Sequence, residues 1–555
     1  MPLDNEISLL AQAQALFQQG NLTAAEQCYR HIISDNPSES RAHFGLAKVL
    51  SQLNQPAEAE AAYIQAISLD PNYFEALANL GSLYLFGGRL SEALAYYTRA
   101  EKLKPENPEI LSNLCYLNKE MGNLDSAQAY GLSALQINPD HVGALLNVGM
   151  VFNESKRYEE ALPYLQRANA LSPGHPLVLH NMGVSYAALE DYEQARTCYL
   201  AALEKNPQSV TTLYGLGIVD KYLGNFDEAE AKLKMVLALA PEDRAAREAL
   251  AYLQLRLGNF REGWANHVCR ALSTQDRTVP PQLPQHPNGS HVLLLGEQGL
   301  GDELLFLRFT YGLKALGMRL SYRGSLRLKT LLADQDLFTE WLDPQAEVDA
   351  SAFDAVLSVG NLPYVLGMAS ASEIPPPLKL RAAPEILKRM SERLSKCAAK
   401  HFIGVTWRAG TEQSERLLFK EAPIQSLGEL LKDLPGSIVV LQRHPKPGEI
   451  EQLAHYAGRE VHDFSEANEN LEEMLALLNL VHEYIGVSNT NMHLMAGLGR
   501  TARVMIPYPA DWRWMEDVAQ SPWFPGFQIY RQTSSGDWQQ VLARLSSDLH
   551  VRNAP

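Results

Sequence analysis

Apolar residues recur along the first half of the chain at helical spacing, interrupted every few turns by short polar or glycine-bearing gaps. In 74–107, FEALANLGSLYLFGGRLSEALAYYTRAEKLKPEN, residues Leu77, Leu80 and Tyr84 share one face of a first helix. A turn at Gly88 follows, and Ala93, Tyr97 and Ala100 share a face of a second helix. Units 6–39, 40–73, 74–107, 108–141, 142–175, 176–209 and 210–243 repeat this pattern without a gap. Proline holds one position in all seven (Pro37, Pro71, Pro105, Pro139, Pro173, Pro207, Pro241). Alanine holds another (Ala25, Ala59, Ala93, Ala127, Ala161, Ala195, Ala229). The spacing predicts stacked helix pairs. The small alanine lets the two helices close on each other, and the proline ends the second. An eighth unit, 244–277, lacks the proline and carries Gly263-Trp264 instead, so it is expected to cap the stack and dock it onto the next domain.

The repeat pattern resembles the tetratricopeptide repeat over nearly half of the chain. The resemblance implies an all-α superhelix over 1–277. Beyond a Pro-rich joint at 278–290 the period changes. Short β-type runs at 291–296, 318–322, 339–342 and 354–359 flank a helix expected at 303–316. The proline-rich stretch IPPPLKLRAAP (374–384) ends this series. A second series places strands at 402–407, 437–442, 460–464, 482–488 and 503–508. Strands alternating with helical stretches predict parallel sheets with crossover helices. The expected fold class is therefore an all-α array followed by α/β, with two Rossmann-like lobes, 291–384 and 385–555, facing a cleft. Ligands in such sheets bind outside the carboxyl ends of strands, which directs attention to the residue following each strand.

Composition narrows the function. Lys plus Arg number 48 against 64 for Asp plus Glu, a net charge of −16, which disfavours nucleic acid and anionic membranes as partners. No run of ~18 apolar residues is present, so no membrane span is expected. The amino-terminal stretch lacks a basic region and reads as a first repeat helix rather than a signal peptide. Five scattered cysteines lack metal-ligand spacing and read as isolated thiols of a cytoplasmic protein.

Candidate chemistry lies just after the strands. Glycines in Gly296-Glu297-Gln298-Gly299-Leu300-Gly301-Asp302 allow a ligand close to the backbone. A dinucleotide site would want an acidic residue ending the next strand, and RLSYRGS has none. Asp302 reads as a general base or as a helix cap. Ser488, Asn489, Thr490, Asn491 and His493 open a helix after 482–488, suited to an anion such as a diphosphate or simply capped. Arg408, with Arg416 and Lys420, offers phosphate contacts or surface salt bridges, and Gln442 ends the next strand beside a base or ribose. Trp512, Trp514 and Trp523 stack on a sugar or base, or seal the joint between lobes. In the repeats, Asn79, Asn113, Asn147 and Asn181 take the same helix position in four successive units. Such a row of amides can grip the backbone of an extended peptide, or bond between neighbouring units. The row resembles the asparagine ladder of O-linked N-acetylglucosamine transferase, which implies a polypeptide acceptor.

The motifs GEQGLGDELLFLRF, GVTWRAGT, SNTNMHLMAGLG and DWRWM…SPWFP…YRQ…GDW together resemble the heptosyltransferase-type family of B-type glycosyltransferases over about residues 290–545. The resemblance implies a metal-independent inverting transferase without a cofactor, its nucleotide-sugar a co-substrate held mainly by the carboxyl-terminal lobe. Asp302 matches the family's proposed base. Gly299, Gly301, Arg408, Lys420, Gln442, Ser488, Asn489, Thr490, Asn491 and His493 are the expected donor site. Asn489 and Asn491 stand where the family carries Asp and Gly. With the repeats, the expected acceptor is Ser or Thr of a bacterial protein such as flagellin. Lipopolysaccharide or another glycan is the alternative acceptor, and a repeat scaffold with a degenerate transferase region is the non-enzymatic alternative.

Overall fold

A computed structural model describes residues 2–269, 281–297, 299–345, 347–397, 399–409, 421–516, 518–533 and 536–552. Its contacts divide the chain into two compact units, Met1–Leu216 and Gly217–Pro555. The division falls inside the repeat array, ahead of the composition change near residue 277.

The first unit consists of antiparallel helix pairs running from α1 (Pro2–Gln18) into α13 (Val210–Leu223). The repeated alanines Ala25, Ala59, Ala93, Ala127, Ala161 and Ala195 are fully buried, as expected of the contact between paired helices. Gly81 serves the same purpose. A Cβ there would lie 2.8 Å from the Tyr97 ring, so only glycine lets that ring sit against the helix. The second helix of a pair stops two residues short of its proline: at Leu69 before Pro71, Leu103 before Pro105 and Ile137 before Pro139. Half-exposed ion pairs such as Arg30–Glu58 (2.9 Å) and Arg167–Asp140 (2.7 Å) link one repeat to the next. Each contributes a few tenths of a kcal/mol at most; buried apolar surface between neighbours carries the array.

The second unit begins with the last repeat helices, α14 (Phe226–Leu239), α15 (Arg244–Leu257) and α16 (Phe260–His267), so that among the described residues sixteen helices precede the first strand. Strands β1 (His291–Leu295), β2 (Arg319–Arg323), β3 (Glu340–Leu342) and β4 (Ala355–Ser358) make one sheet in the order β3-β2-β1-β4. Strands β5 (Phe402–Val405), β6 (Ser437–Val440), β7 (Val461–Asp463), β8 (Glu483–Val487), β9 (Arg503–Ile506) and β10 (Gln528–Arg531) make a second in the order β10-β9-β8-β5-β6-β7. Every pairing is parallel. The crossovers carry α17 (Leu300–Leu307) and α18 (Thr310–Ala315) in the first sheet; α19 (Leu362–Val365) and α20 (Pro384–Leu394) lie in the connection between the sheets; α21 (Ile424–Leu431), α22 (Glu449–Ala457), α23 (Leu471–Leu480) and α24 (Thr490–Gly497) cross over in the second, and α25 (Gln539–Arg552) comes after β10. Strand order reverses between β1 and β4 in one sheet and between β5 and β8 in the other, the places where such sheets open a crevice. A continuous apolar core runs through Leu294, Phe306, Leu380, Met474 and Val504, with a second cluster around Val405, Leu427, Leu453 and Ile485.

Two expectations change. The helix expected at 303–316 is two helices, α17 and α18. The break falls at Arg308, whose buried guanidinium turns inward to donate to Trp523 O at 3.1 Å. β10 is an added edge strand: its central residues Ile529 and Tyr530 are buried, but four residues between loop segments give too short a period to read.

Candidate functional site

The loop after β1 turns into α17 on Gly299, an N-cap with no side-chain bond. Asp302 is thus not the cap. It sits in the first turn, and its carboxylate accepts from Arg513 Nη2. The neighbouring Glu303 points the other way, into the protein, where it accepts from Tyr322 Oη and from Ser325 N at 3.1 Å. Burial pushes the Glu303 carboxyl up, against the lowering effect of those bonds. The start of α17 lies against the start of α24, the helix after β8. A Cβ on Gly301 would stand 3.2 Å from His493 Cδ2 and 3.6 Å from Thr490 Oγ1. Gly301 therefore permits the approach, and the segments following β1 and β8 come together at Gly301, Thr490 and His493.

The rest of the segment after β8 is largely committed to holding its own shape. Asn489 caps α24, its Oδ1 accepting from Asn491 N at 3.0 Å while its Nδ2 donates to Thr406 Oγ1 at 3.0 Å. Asn491, buried, donates to Tyr484 Oη at 3.2 Å. Ser488 Oγ accepts from Trp514 Nε1 at 2.9 Å. Each asparagine thus takes a polar partner from the fully enclosed Thr406–Tyr484 pair, whose oxygens are 2.9 Å apart.

Two of the expected donor residues are engaged within the protein. Arg408 does not present a free cation. Glu449 from α22 takes it at both nitrogens (2.5 and 3.1 Å), and His444 O accepts at 3.2 Å. Burial raises Glu449, but the bonds from Arg408 and from Lys446 N outweigh this and hold it below the ordinary carboxylate range. Gln442 is also occupied. Its Oε1 accepts from Trp407 N (3.0 Å) and Arg408 N (2.9 Å), and its Nε2 donates to Arg408 O (3.1 Å) and Arg443 O (2.9 Å). It splices the ends of β5 and β6. Lys420 and Arg416 lie outside the described residues.

The tryptophans divide between the two roles open to them in favour of the seal. Trp512 and Trp523, buried, pack edge-on at 5.1 Å. Trp264 of α16 meets Trp512 at 5.5 Å, Trp523 at 6.1 Å and Phe306 of α17 at 6.1 Å. Trp514 is enclosed against Phe524, stacked at 4.6 Å. Gly263-Trp264 therefore docks the last repeat helix onto the α/β region, as its departure from the repeat pattern predicts. The residue between the tryptophans is the one that sequence reasoning missed. Arg513 Nη1 donates to both oxygens of Asp511 at 2.8 Å, and Nη2 reaches Asp302. Its only signal in the sequence is a cation set among aromatics in Asp511-Trp512-Arg513-Trp514.

Of the asparagine row, Asn147 Nδ2 donates to Ser112 O at 2.9 Å and Ser112 Oγ at 3.0 Å in the preceding repeat. Asn181, buried, donates to Leu177 O of its own helix at 2.8 Å. Asn79 bonds Tyr63 of the preceding repeat. Asn113 is half-buried. Three of the four amides are thus engaged within the array. Among the described residues no group of three or more His, Cys, Asp or Glu could hold a metal ion, and no helix is long and apolar enough to cross a membrane.

Tetratricopeptide repeats followed by an α/β region with parallel sheets define the class of this chain. Residues 10–52, 46–108, 119–176 and 175–242 match the tetratricopeptide repeat family. A curated relative, the protein FlbA of Caulobacter vibrioides, is 23% identical over 321 residues, 52% of this chain and 52% of the relative. The chain spans about half the length of the curated relative it matches. Among solved structures, PilF of Pseudomonas aeruginosa is 21% identical with a TM-score of 0.35, over 38% of this chain and 95% of that one. YrrB, described as a tetratricopeptide repeat protein with an unusual peptide-binding site, is 24% identical with a TM-score of 0.28, over 33% and 95%.

Proposed function

We propose that the chain is a metal-independent inverting glycosyltransferase of B-type fold, moving a sugar from a nucleotide-sugar to a polypeptide hydroxyl brought by the repeats. The observation that carries this reading is the approach of Gly301, the residue before Asp302 at the helix start after β1, to Thr490 and His493, at the helix start after β8. A carboxylate on the helix that follows one sheet's first strand thus lies one residue from the contact with a helix N-terminus that follows a strand of the other. In the reaction, Asp302 takes the proton of the acceptor hydroxyl as its oxygen bonds the anomeric carbon. The bond from that carbon to the phosphate oxygen breaks, and the nucleotide leaves as its anion. The positive end of α24 opposes the charge that develops.

A thermal-shift series with nucleoside mono- and diphosphates tests donor binding, and Asp302→Asn tests the base. The expected result is a retained nucleotide shift with transfer lost by a factor of about 10² or more. No shift with any nucleotide overturns the reading. A second reading, a binding scaffold, draws on the occupied Arg408 and Gln442; nucleotide binding with no transfer by the unaltered chain favours it. Changing Asn79, Asn113, Asn147 and Asn181 together to Ala separates acceptors. Loss of transfer to a polypeptide supports the repeat-held client, and unchanged transfer points to a glycan.

A further inference from the structure

We propose that Arg513 is a positioning residue for Asp302, held by Asp511 so that it orients that carboxylate without neutralising it. This rests on the transferase reading above. The guanidinium is immobilised before it reaches Asp302. It lies over the Trp512 ring at 4.6 Å, its own peptide oxygen accepts from Ser521 Oγ at 2.5 Å, and its backbone N–H donates to Asp511 Oδ1 at 3.1 Å. The Arg513 and Asp511 side chains are only 12% and 9% exposed, whereas Asp302 is 25% exposed. Among the described residues Asp302 Oδ1 takes the bond from Arg513 and Oδ2 takes none, so one oxygen is fixed and the other is open to a proton.

The charge arithmetic distinguishes this arrangement from a plain ion pair. One guanidinium serves two carboxylates, leaving the trio at −1. A guanidinium facing Asp302 alone would cancel its charge and weaken it as a base. Shared with Asp511, it fixes the geometry while Asp511 offsets part of its charge. Burial brings Arg513 down to about 10, still well above neutrality, so the group stays a cation through the working range. Among the described residues Tyr252 of α15 raises Arg513 against its burial, and His493 of α24 faces Gly301, the residue before Asp302; Glu303, next after Asp302, turns away to Tyr322 and Ser325.

The test uses the full chain and measures release of free nucleotide from UDP-, GDP- and CMP-sugars, with nucleotide-induced thermal shift as a separate measure of binding. Arg513→Gln is expected to lower kcat about 30-fold or more with KM changed less than about threefold, and to move the acidic limb of the kcat profile to higher pH. Asp511→Asn gives Arg513 wholly to Asp302 and is expected to move the same limb to lower pH. Arg513→Lys restores part of kcat, since a charge returns without the fork. Opposite movements of the limb are what a structural role alone does not produce. Limbs that stay put in both variants, or move the same way, overturn the inference while the transferase reading stands. Turnover by Arg513→Gln equal to that of the unaltered chain does the same. An unaltered chain that turns over none of the donors overturns both.

Discussion

Trp512 and Arg513 are adjacent in the chain and end in opposite surroundings. Trp512 points into a dry aromatic seam with Trp264, Phe306 and Trp523, which draws α16, α17 and the segment after β9 together. Arg513 points to two carboxylates, one of them on α17, the helix that follows β1. The seam works through area removed from water and has no preferred partner beyond shape. The ionic trio works through direction and charge, and its contribution to stability is small for the desolvation it costs. A short segment thus holds the region together with one residue and reaches Asp302 with the next.

The contrast sets an order of effects. Trp264→Ala empties the centre of the seam and is expected to cost about 3–5 kcal/mol, insensitive to salt, read in denaturant unfolding of the α/β region. A loss below about 1 kcal/mol would mean that the seam is not what joins α16 to the sheets. Glu449→Ala strands the mostly buried Arg408 and is expected to cost about 3 kcal/mol, most of it recovered when Arg408→Met is added. That double variant should keep nucleotide binding, because the pair is internal; a lost nucleotide shift would return Arg408 to the ligand site. Asn489→Ala removes the α24 cap and is expected to cost about 1 kcal/mol, with a larger effect on any activity than on unfolding.

The smallest effect is a gain. Burial and the Arg256 guanidinium push the Lys221 ammonium down to about 8. Because its folded-state value lies below the unfolded one, the folded state penalises the charge at neutral pH, and the penalty fades as pH rises from about 8 toward the ordinary lysine value. Lys221→Met should raise the thermal midpoint by roughly 2 °C at about pH 7 and by less at about pH 10, measured by calorimetry.

The array was legible because its chemistry is local. Ala93 meets its paired helix within a few turns, and Pro105 ends the helix it follows, so period and residue type suffice. Nine of the strands were legible because buried parallel strands write themselves as short apolar runs such as Val292–Leu294 and Ile438–Val440. The site was legible only as positions. That Asp302 and His493 come after strands is in the sequence; that Arg408 is spent on Glu449, 41 residues on, and Arg513 on Asp302, 211 residues back, depends on contacts no local pattern encodes. The tryptophans left two roles open for the same reason, since aromatic content is equally suited to a ligand and to a seam.

The parallel strand order has a consequence for how the chain is made. In the array, bonds join residues about one repeat apart, as between Asn147 and Ser112, so each helix pair finds its neighbour soon after synthesis. Strand β5 pairs with β8, Ile403 opposite Glu483, and cannot be completed until the intervening residues, about 80 of them, have left the ribosome, on the order of ten seconds later. During that interval the newborn carboxyl-terminal half carries an unfinished sticky edge behind a finished helical front, and it is there that chaperones have something to hold.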